Sequence, residues 1–240
     1  MQIVVVVALL SLWEIGSRVG FINSFIFSSP SKIVKTLTDL SISGELFVHI
    51  GVTLGEIIAS FVFGIAIAFV MSTLMYLFHS FADVVDPFLT MLNSLPKVAL
   101  GPLIIIWVGA NTNAIITMAL LINVIVSIIT IYNGFIHTDP LKLKLFKSFR
   151  ASKWQILTKL VIPSNLSTIA SALKINISMT LIGVIMGEFL VSKKGIGYLI
   201  IYGTQLFNLN LVLAGVVVLV LISFVLYLLL GFIEKRLLHE

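Results

Sequence analysis

The chain has 240 residues, 59% hydrophobic and only 10% charged, with 15 lysines and arginines against 10 acids and a net charge of +5. A soluble domain carries about a quarter charged residues, so a mean hydropathy of +1.18 excludes one and marks an integral membrane protein. The cations lie beside apolar stretches, which points to membrane orientation rather than nucleic-acid binding. The absence of cysteine excludes disulfides, thiolate catalysis and Cys-ligated metal.

A bilayer-crossing helix needs about 20 apolar residues. The start, "MQIVVVVALLSLWEIGSRVG", lacks the basic n-region and small-residue cleavage site of a secretory signal and predicts a retained span over 2–19. Glu14 and Arg18, four apart, can pair near its end. "SSPSKIV" then has the entry residues of a helix, Pro30 and Ser31, and predicts a short interfacial helix. Further spans are predicted at 48–76, 85–108, 113–135, 167–191 and 209–233. All are continuous, without the dyad alternation of a barrel strand. The expected fold is a single all-α membrane domain of about six transmembrane helices.

Within these spans, Gly51, Gly55 and Ala59, and separately Gly183 and Gly187, have a spacing that lets helices approach closely. Both sets read as packing sites. Glu56, beside the first, could serve a pathway or an ion pair. The third span carries Pro96, Gly101 and Pro102, so its backbone is expected to be kinked or broken, and such backbone lines cavities or is buried in protein. Lys97 sits in that break, either lining a pathway or snorkelling to the interface. The fifth span is unusually polar, with Ser171, Lys174, Asn176, Ser178, Thr180 and Glu188. These either line a pathway or dimer interface or join helices by hydrogen bonds.

The loop 136–166 carries Lys142, Lys144, Lys147, Arg150, Lys153 and Lys159 against one acid, Asp139, and the C-terminus adds Lys235 and Arg236. The positive-inside rule places both in the cytoplasm, and with six spans the N-terminus joins them. Lys32, Lys35, Lys193 and Lys194 fall outside and weaken the bias without reversing it. Orientation alone explains a polar basic loop, but here Phe146, Phe149, Trp154, Ile156, Leu157, Leu160 and Val161 are interleaved with the cations. That composition suits a docking element for another protein.

Catalytic and metal signatures are missing. His49, His79, His137 and His239 are scattered, there is no GxxxxGK[ST] phosphate loop, and no Ser/His/Asp set or HExxH occurs. An intramembrane enzyme is the weakest reading. A stand-alone secondary transporter fits the broken helix and intramembrane charges, but no inverted repeat is visible.

The stretch "DPLKLKLFKSFRASKWQILTKLVIPSNLSTIASALK" resembles the coupling loop of ABC importer permeases. The match runs through Asp139-Pro140, Ala151-Ser152, Trp154-Gln155 and Val161-Ile162-Pro163. "SSPSKIVKTL", "DPFLTMLNSLPKVALGPLIIIWVG" and "GEFLVSKKGIGYLI" are similar to the branch that imports nitrate, sulfonates, taurine, bicarbonate and thiamine-precursor pyrimidines, and the resemblance covers nearly the whole chain. It implies a cytoplasmic coupling helix and a multi-pass protein of a bacterial or archaeal plasma membrane. The implied partners are a second permease subunit, as a homodimer or with a close relative, two cytoplasmic ATPases and an extracytoplasmic substrate-binding protein. ATP and Mg would be bound by the ATPase, with no cofactor in this subunit. The resemblance also implies coupling contacts within 142–162, flanked by Pro163, at Lys144, Phe146, Lys147, Phe149, Arg150, Ala151, Ser152 and Trp154, and transport of a small nutrient, an anion among the candidates; the candidate pathway residues remain those of the residue reading, Lys97, Asn176, Ser178 and Glu188. Two positions depart from the family pattern: Lys144 stands where Glu is usual and Arg150 where Gly is usual. Arg150 predicts ordinary helical backbone and a straighter helix there.

Overall fold

The computed structural model describes residues 2–238. Helix α1, Gln2–Val19, coincides with the first predicted span. Most of its described side chains are exposed and apolar, including Val4, Leu9 and Leu12, as a lipid-facing helix requires. The short α2, Ser24–Phe27, leads into α3, Pro30–Ile42, with Pro30 at its first position and the Ser29 side chain capping Lys32 N–H. Glu14 accepts from Ser31 N–H at 3.1 Å and from Arg18 Nε at 2.7 Å, fixing α1 to the start of α3.

Four described helices are long and apolar enough to cross a membrane. They include α4, Glu45–Leu77. Next come α5, His79–Ser94, a tight turn at Lys97–Leu100, and α6, Gly101–Val108. The predicted span 85–108 is thus two helices meeting at 89°. Pro96 has no N–H to donate, and it pushes Leu95 out of the helical region to ψ 143°. The remaining long helices are α7, Thr112–Ile136, α11, Leu166–Val191, and α13, Leu209–Leu238. Between α7 and α11 lie α8, Pro140–Ser148, α9, Lys153–Ile156, a π turn at Leu157–Val161, and α10, Ile162–Ser164. The stretch between α11 and α13 holds α12, Ile196–Gln205.

Helix α7 is the centre of the bundle. Of its most apolar window 56% is buried, against 28% for α4, 39% for α11 and 17% for α13. It packs chiefly on α11 and α4. The glycines of α11 permit the close approach: a Cβ on Gly183 would lie 2.5 Å from Ala119 Cα, and one on Gly187 2.9 Å from Ile115 Cα. Gly51 and Gly55 behave otherwise. Nothing lies within 4 Å of a Cβ built on either, so these two glycines pack against no helix among the described residues.

The ends of the bundle can be told apart. Lys153 Nζ donates to Leu77 O at 3.2 Å, so α4 finishes beside the loop that joins α7 to α11. Helix α7 starts at the far end, so α5 and α6 together carry the chain across. The bend therefore interrupts one crossing. Asn210, at the start of α13, bonds to Ser28 at 2.6 Å, and Glu234, near its finish, pairs with Lys174 in the first half of α11. Helix α13 thus runs back to the end that carries the loop between α7 and α11.

Candidate functional site

The loop segment is built from strong local signals. Asp139 accepts from Leu141 N–H at 2.8 Å and Pro140 occupies the first turn of α8, a favoured helix start. The helix then stops at a left-handed residue. Arg150 has φ +53°, its N–H reaches Lys147 O at 2.9 Å, and Ala151 N–H reaches Phe146 O at 3.2 Å. This pair of bonds is the Schellman C-cap. The expected straight helix at Arg150 is therefore not what forms: the backbone keeps the glycine-type turn, because two capping bonds outweigh the side chain's preference. Ser152 and Gln155 then make a reciprocal capping box for α9.

Beyond α9 the helix widens. Ile162 N–H bonds to Leu157 O across a π turn. Pro163 cannot donate and would press on the carbonyl four residues back, and the wider turn relieves that contact. Asn165 Nδ2 donates to Val161 O and to Thr138 Oγ1, both at 2.8 Å. The return of the chain into the bundle is thereby fixed to the end of α7.

Leu143, Phe146 and Ala151 tuck under this segment against Ile156, Leu157, Leu160 and Val161, at the base of a core cluster that also contains Met75 and Phe135. The opposite side is uncovered. Leu141 is 74% exposed, Leu145 53%, Phe149 76% and Trp154 59%, with Lys142, Lys144, Lys147, Arg150, Ser152 and Lys153 exposed among them. Leu141, Leu145 and Phe149 recur every four residues and so form one stripe.

The residues assigned to a pathway are not brought together. Asn176 is fully buried, donating to Ser127 Oγ at 2.8 Å and sharing a 3.2 Å bond with Thr180. Asn123 Nδ2 extends the seam to Thr180 Oγ1 at 2.6 Å and Ser60 O at 3.2 Å. This joins α4, α7 and α11 by helix–helix hydrogen bonds. Ser178 faces outward, beside a cavity of about 340 Å³ lined by Ile177, Leu181, Ser223 and Tyr227. Lys174 pairs with Glu234 and lies 5.5 Å from the Tyr227 ring. Lys97 is half-buried at the bend, and its Nζ donates to Asn93 O at 3.1 Å and Asn93 Oδ1 at 3.2 Å.

Glu188 is fully buried at the end opposite the loop segment. It accepts from Thr53 Oγ1 at 2.6 Å and Gly197 N at 2.5 Å. Thr53 Oγ1 in turn accepts from Ile196 N, and His49 Nδ1 from Gly195 N, both at 2.8 Å. His49 and Thr53 were missed as partners because they lie more than 140 residues from the amides they bind. The only local hint is the Gly-Ile-Gly after Lys194. His239 lies outside the described residues.

A multi-helix apolar bundle with a basic, apolar-faced segment between its central helices agrees with the sequence comparisons. Residues 60–239 match the family described as "Binding-protein-dependent transport system inner membrane component". The chain belongs to this family of ABC permeases. It is 30% identical, over 94% of its length and 91% of the relative's, to a probable ABC transporter permease protein of Haemophilus influenzae. It is 27% identical to the aliphatic sulfonates permease SsuC of Bacillus subtilis, covering 88% of this chain and 76% of that one. To the formylaminopyrimidine permease ThiX of Halalkalibacterium halodurans it is 29% identical, covering 79% and 75%. Its fold is similar to a chain in inward-facing structures of the MetNI methionine ABC transporter, at TM-score 0.69 and 18% identity over 80% of this chain and 95% of that one. As an ABC importer permease it is a multi-pass inner-membrane transport subunit.

Proposed function

We propose that the permease works as a dimer that docks two cytoplasmic ATPases through residues 142–162 and takes a small nutrient from an extracytoplasmic binding protein. The observation that carries this reading is the uncovered stripe of Leu141, Leu145 and Phe149, with Trp154 beside it, set among lysines. Apolar side chains on the water-facing end of a membrane protein call for a protein partner. The exposed lysines suit a partner groove with acidic groups, and Lys144 makes that complement more acidic than a family Glu would. The loop segment and the chain termini then lie in the cytoplasm, and ATP and Mg belong to the partner.

Relatives named for sulfonate, taurine and formylaminopyrimidine transport favour a small organic solute. Lys97, bonded only to neutral groups of Asn93, favours an anionic one if it lines the route. The test is purification of the full chain from its native membrane, with the ATPase identified by mass spectrometry. Phe149→Asp should abolish co-purification while leaving insertion and thermal unfolding unchanged. Solute uptake by the complex in vesicles should need ATP inside the compartment of the loop segment. Uptake driven by an ion gradient alone, by the permease without ATPase, would refute the reading.

A further inference from the structure

A polar cavity of about 450 Å³ lies at the end opposite the loop segment, between α2 and α3 on one side and the turn from α12 into α13 on the other. Phe207 makes that turn with φ +53°. Its N–H reaches Thr204 O at 3.1 Å, and Asn208 N–H reaches Gly203 O at 2.8 Å, the same pair of capping bonds that ends α8. On the other side, Asn23 Oδ1 accepts from Phe25 N–H at 3.0 Å and starts α2. Ser28 Oγ donates to Asn210 Oδ1 at 2.6 Å and joins the two walls.

These bonds leave one kind of group over. Lys32 Nζ donates to Ser24 Oγ at 2.9 Å and, as an ammonium, keeps two further hydrogens. Asn208 Oδ1 accepts from Leu211 N–H at 3.3 Å, and Asn210 Oδ1 from Ser28. The side-chain oxygens of Ser24, Asn208 and Asn210 thus each accept a hydrogen already. Both amide Nδ2 groups and the Ser24 hydroxyl hydrogen have no acceptor among the described residues. No residue lining the cavity is acidic, and the ion pairs among the described residues, Arg18–Glu14 and Lys174–Glu234, do not include Lys32. Water brings hydrogens as well as lone pairs. An oxyanion brings acceptors alone and gains charge-assisted bonds from the ammonium. The donors come from α2, α3 and the turn into α13, so a group with three or more oxygens meets them better than a two-oxygen carboxylate. Phe25 and Phe207, 69% and 77% exposed, line the same cavity and give it an apolar edge.

We propose that Ser24, Lys32, Asn208 and Asn210 form a binding site for a phosphate or sulfonate oxyanion, carried by a lipid headgroup or by a free solute. The two sources share the polar contacts and differ at the edge. A phospholipid also lays its glycerol and first methylenes on Phe25 and Phe207, where buried apolar area adds to binding. A free ion gains nothing from the rings. In either case the bound group ties α2 and α3 to the start of α13.

Two measurements on the full chain test this. Native mass spectrometry, after extraction from vesicles of phosphatidylcholine with a minor share of phosphatidylglycerol, tests the lipid source. Thermal unfolding of the detergent-solubilised chain during titration with inorganic phosphate or methanesulfonate tests the free ion. Wild type should retain phosphatidylglycerol over phosphatidylcholine, or be stabilised by one of the ions. Lys32→Gln should weaken that binding by about tenfold or more, as loss of a hydrogen bond to a charged group predicts. Asn208→Asp keeps the oxygen that accepts from Leu211 N–H and replaces the amide donor by a negative charge, so it should abolish binding with α13 still capped. Lys35→Gln removes a charge from the same helix outside the cavity and should bind as wild type does. Retention of phosphatidylglycerol without a response to the ions identifies the lipid source, and the reverse identifies a free solute. Failure of all three probes overturns the proposal. So does an equal loss in Lys35→Gln, which would reduce the effect to general surface charge.

Discussion

The two ends of the bundle are built on opposite terms. Where α4, α11 and α12 meet, Glu188, Thr53, His49 and the amides of residues 195–197 are buried and bonded to one another. At the loop segment, Phe149 and Trp154 stand uncovered and Arg150 sits in a left-handed turn. The first end is completed inside the chain, and change there should register as lost stability. The second is uncovered, and on the docking reading proposed above change there should register as lost binding.

The largest effect expected is at the closed end. Gly195 has φ +115° and ψ 166°, a region essentially reserved for glycine, and a Cβ there would fall on the Glu188 carboxyl. Gly195→Ala should cost about 3 kcal/mol or more from strain and displaced hydrogen bonds, seen as loss of monodisperse protein and a lower unfolding temperature. Gly55→Ala, in open space on α4, should instead gain about 0.5–1 kcal/mol. Equal stability of the two variants would erase the distinction between the packed and open faces.

At the uncovered end, Phe149→Asp should weaken ATPase binding by tenfold or more, since burying a Phe side chain contributes about 1.5–3 kcal/mol, and should leave unfolding unchanged. Phe146→Asp should do both kinds of damage, because Phe146 packs under the segment against the core. A pull-down and a thermal melt on the same samples separate the two.

What the sequence makes legible follows the range of the interaction. Continuous apolar runs announce the helices, and Pro96 announces the break in the third. The 89° angle at that break depends on what α6 packs against and is not written locally. The pattern of Gly51 and Gly55 is as good as that of Gly183 and Gly187, yet only the latter meets another helix. Glu188 stands out in the sequence as an intramembrane acid, but its partner Thr53 lies 135 residues away. Arg150 misleads because residue preference there is weaker than the two capping bonds.

Lys97 belongs to neither end, and its expected effect is smaller. It is half-buried at the bend, where a fixed positive charge acts through less water than at the surface. Lys97→Met should slow uptake of an anionic solute by about tenfold, equivalent to about 1.4 kcal/mol, without changing basal ATP hydrolysis by the complex. Lys97→Arg keeps the charge and should recover part of the rate. Equal uptake by wild type and both variants would reduce Lys97 to an interfacial lysine held by Asn93.

The smallest effect sharpens the contrast from the other side. Arg150 pays a conformational penalty of about 1–2 kcal/mol for its left-handed backbone, and its side chain is exposed, with no hydrogen bond or ion pair among the described residues. Glycine adopts that conformation without the Cβ clash. Arg150→Gly should therefore strengthen the turn after α8 by about 1 kcal/mol, reduced somewhat by the greater freedom of glycine in the unfolded chain. Slower amide exchange at residues 150 and 151, whose N–H groups make the two capping bonds, would report it. If ATPase affinity falls while that protection rises, Arg150 is kept for a contact with the partner, and the strain is tolerated at a surface made for binding. If affinity and protection rise together, the turn's shape alone matters to docking.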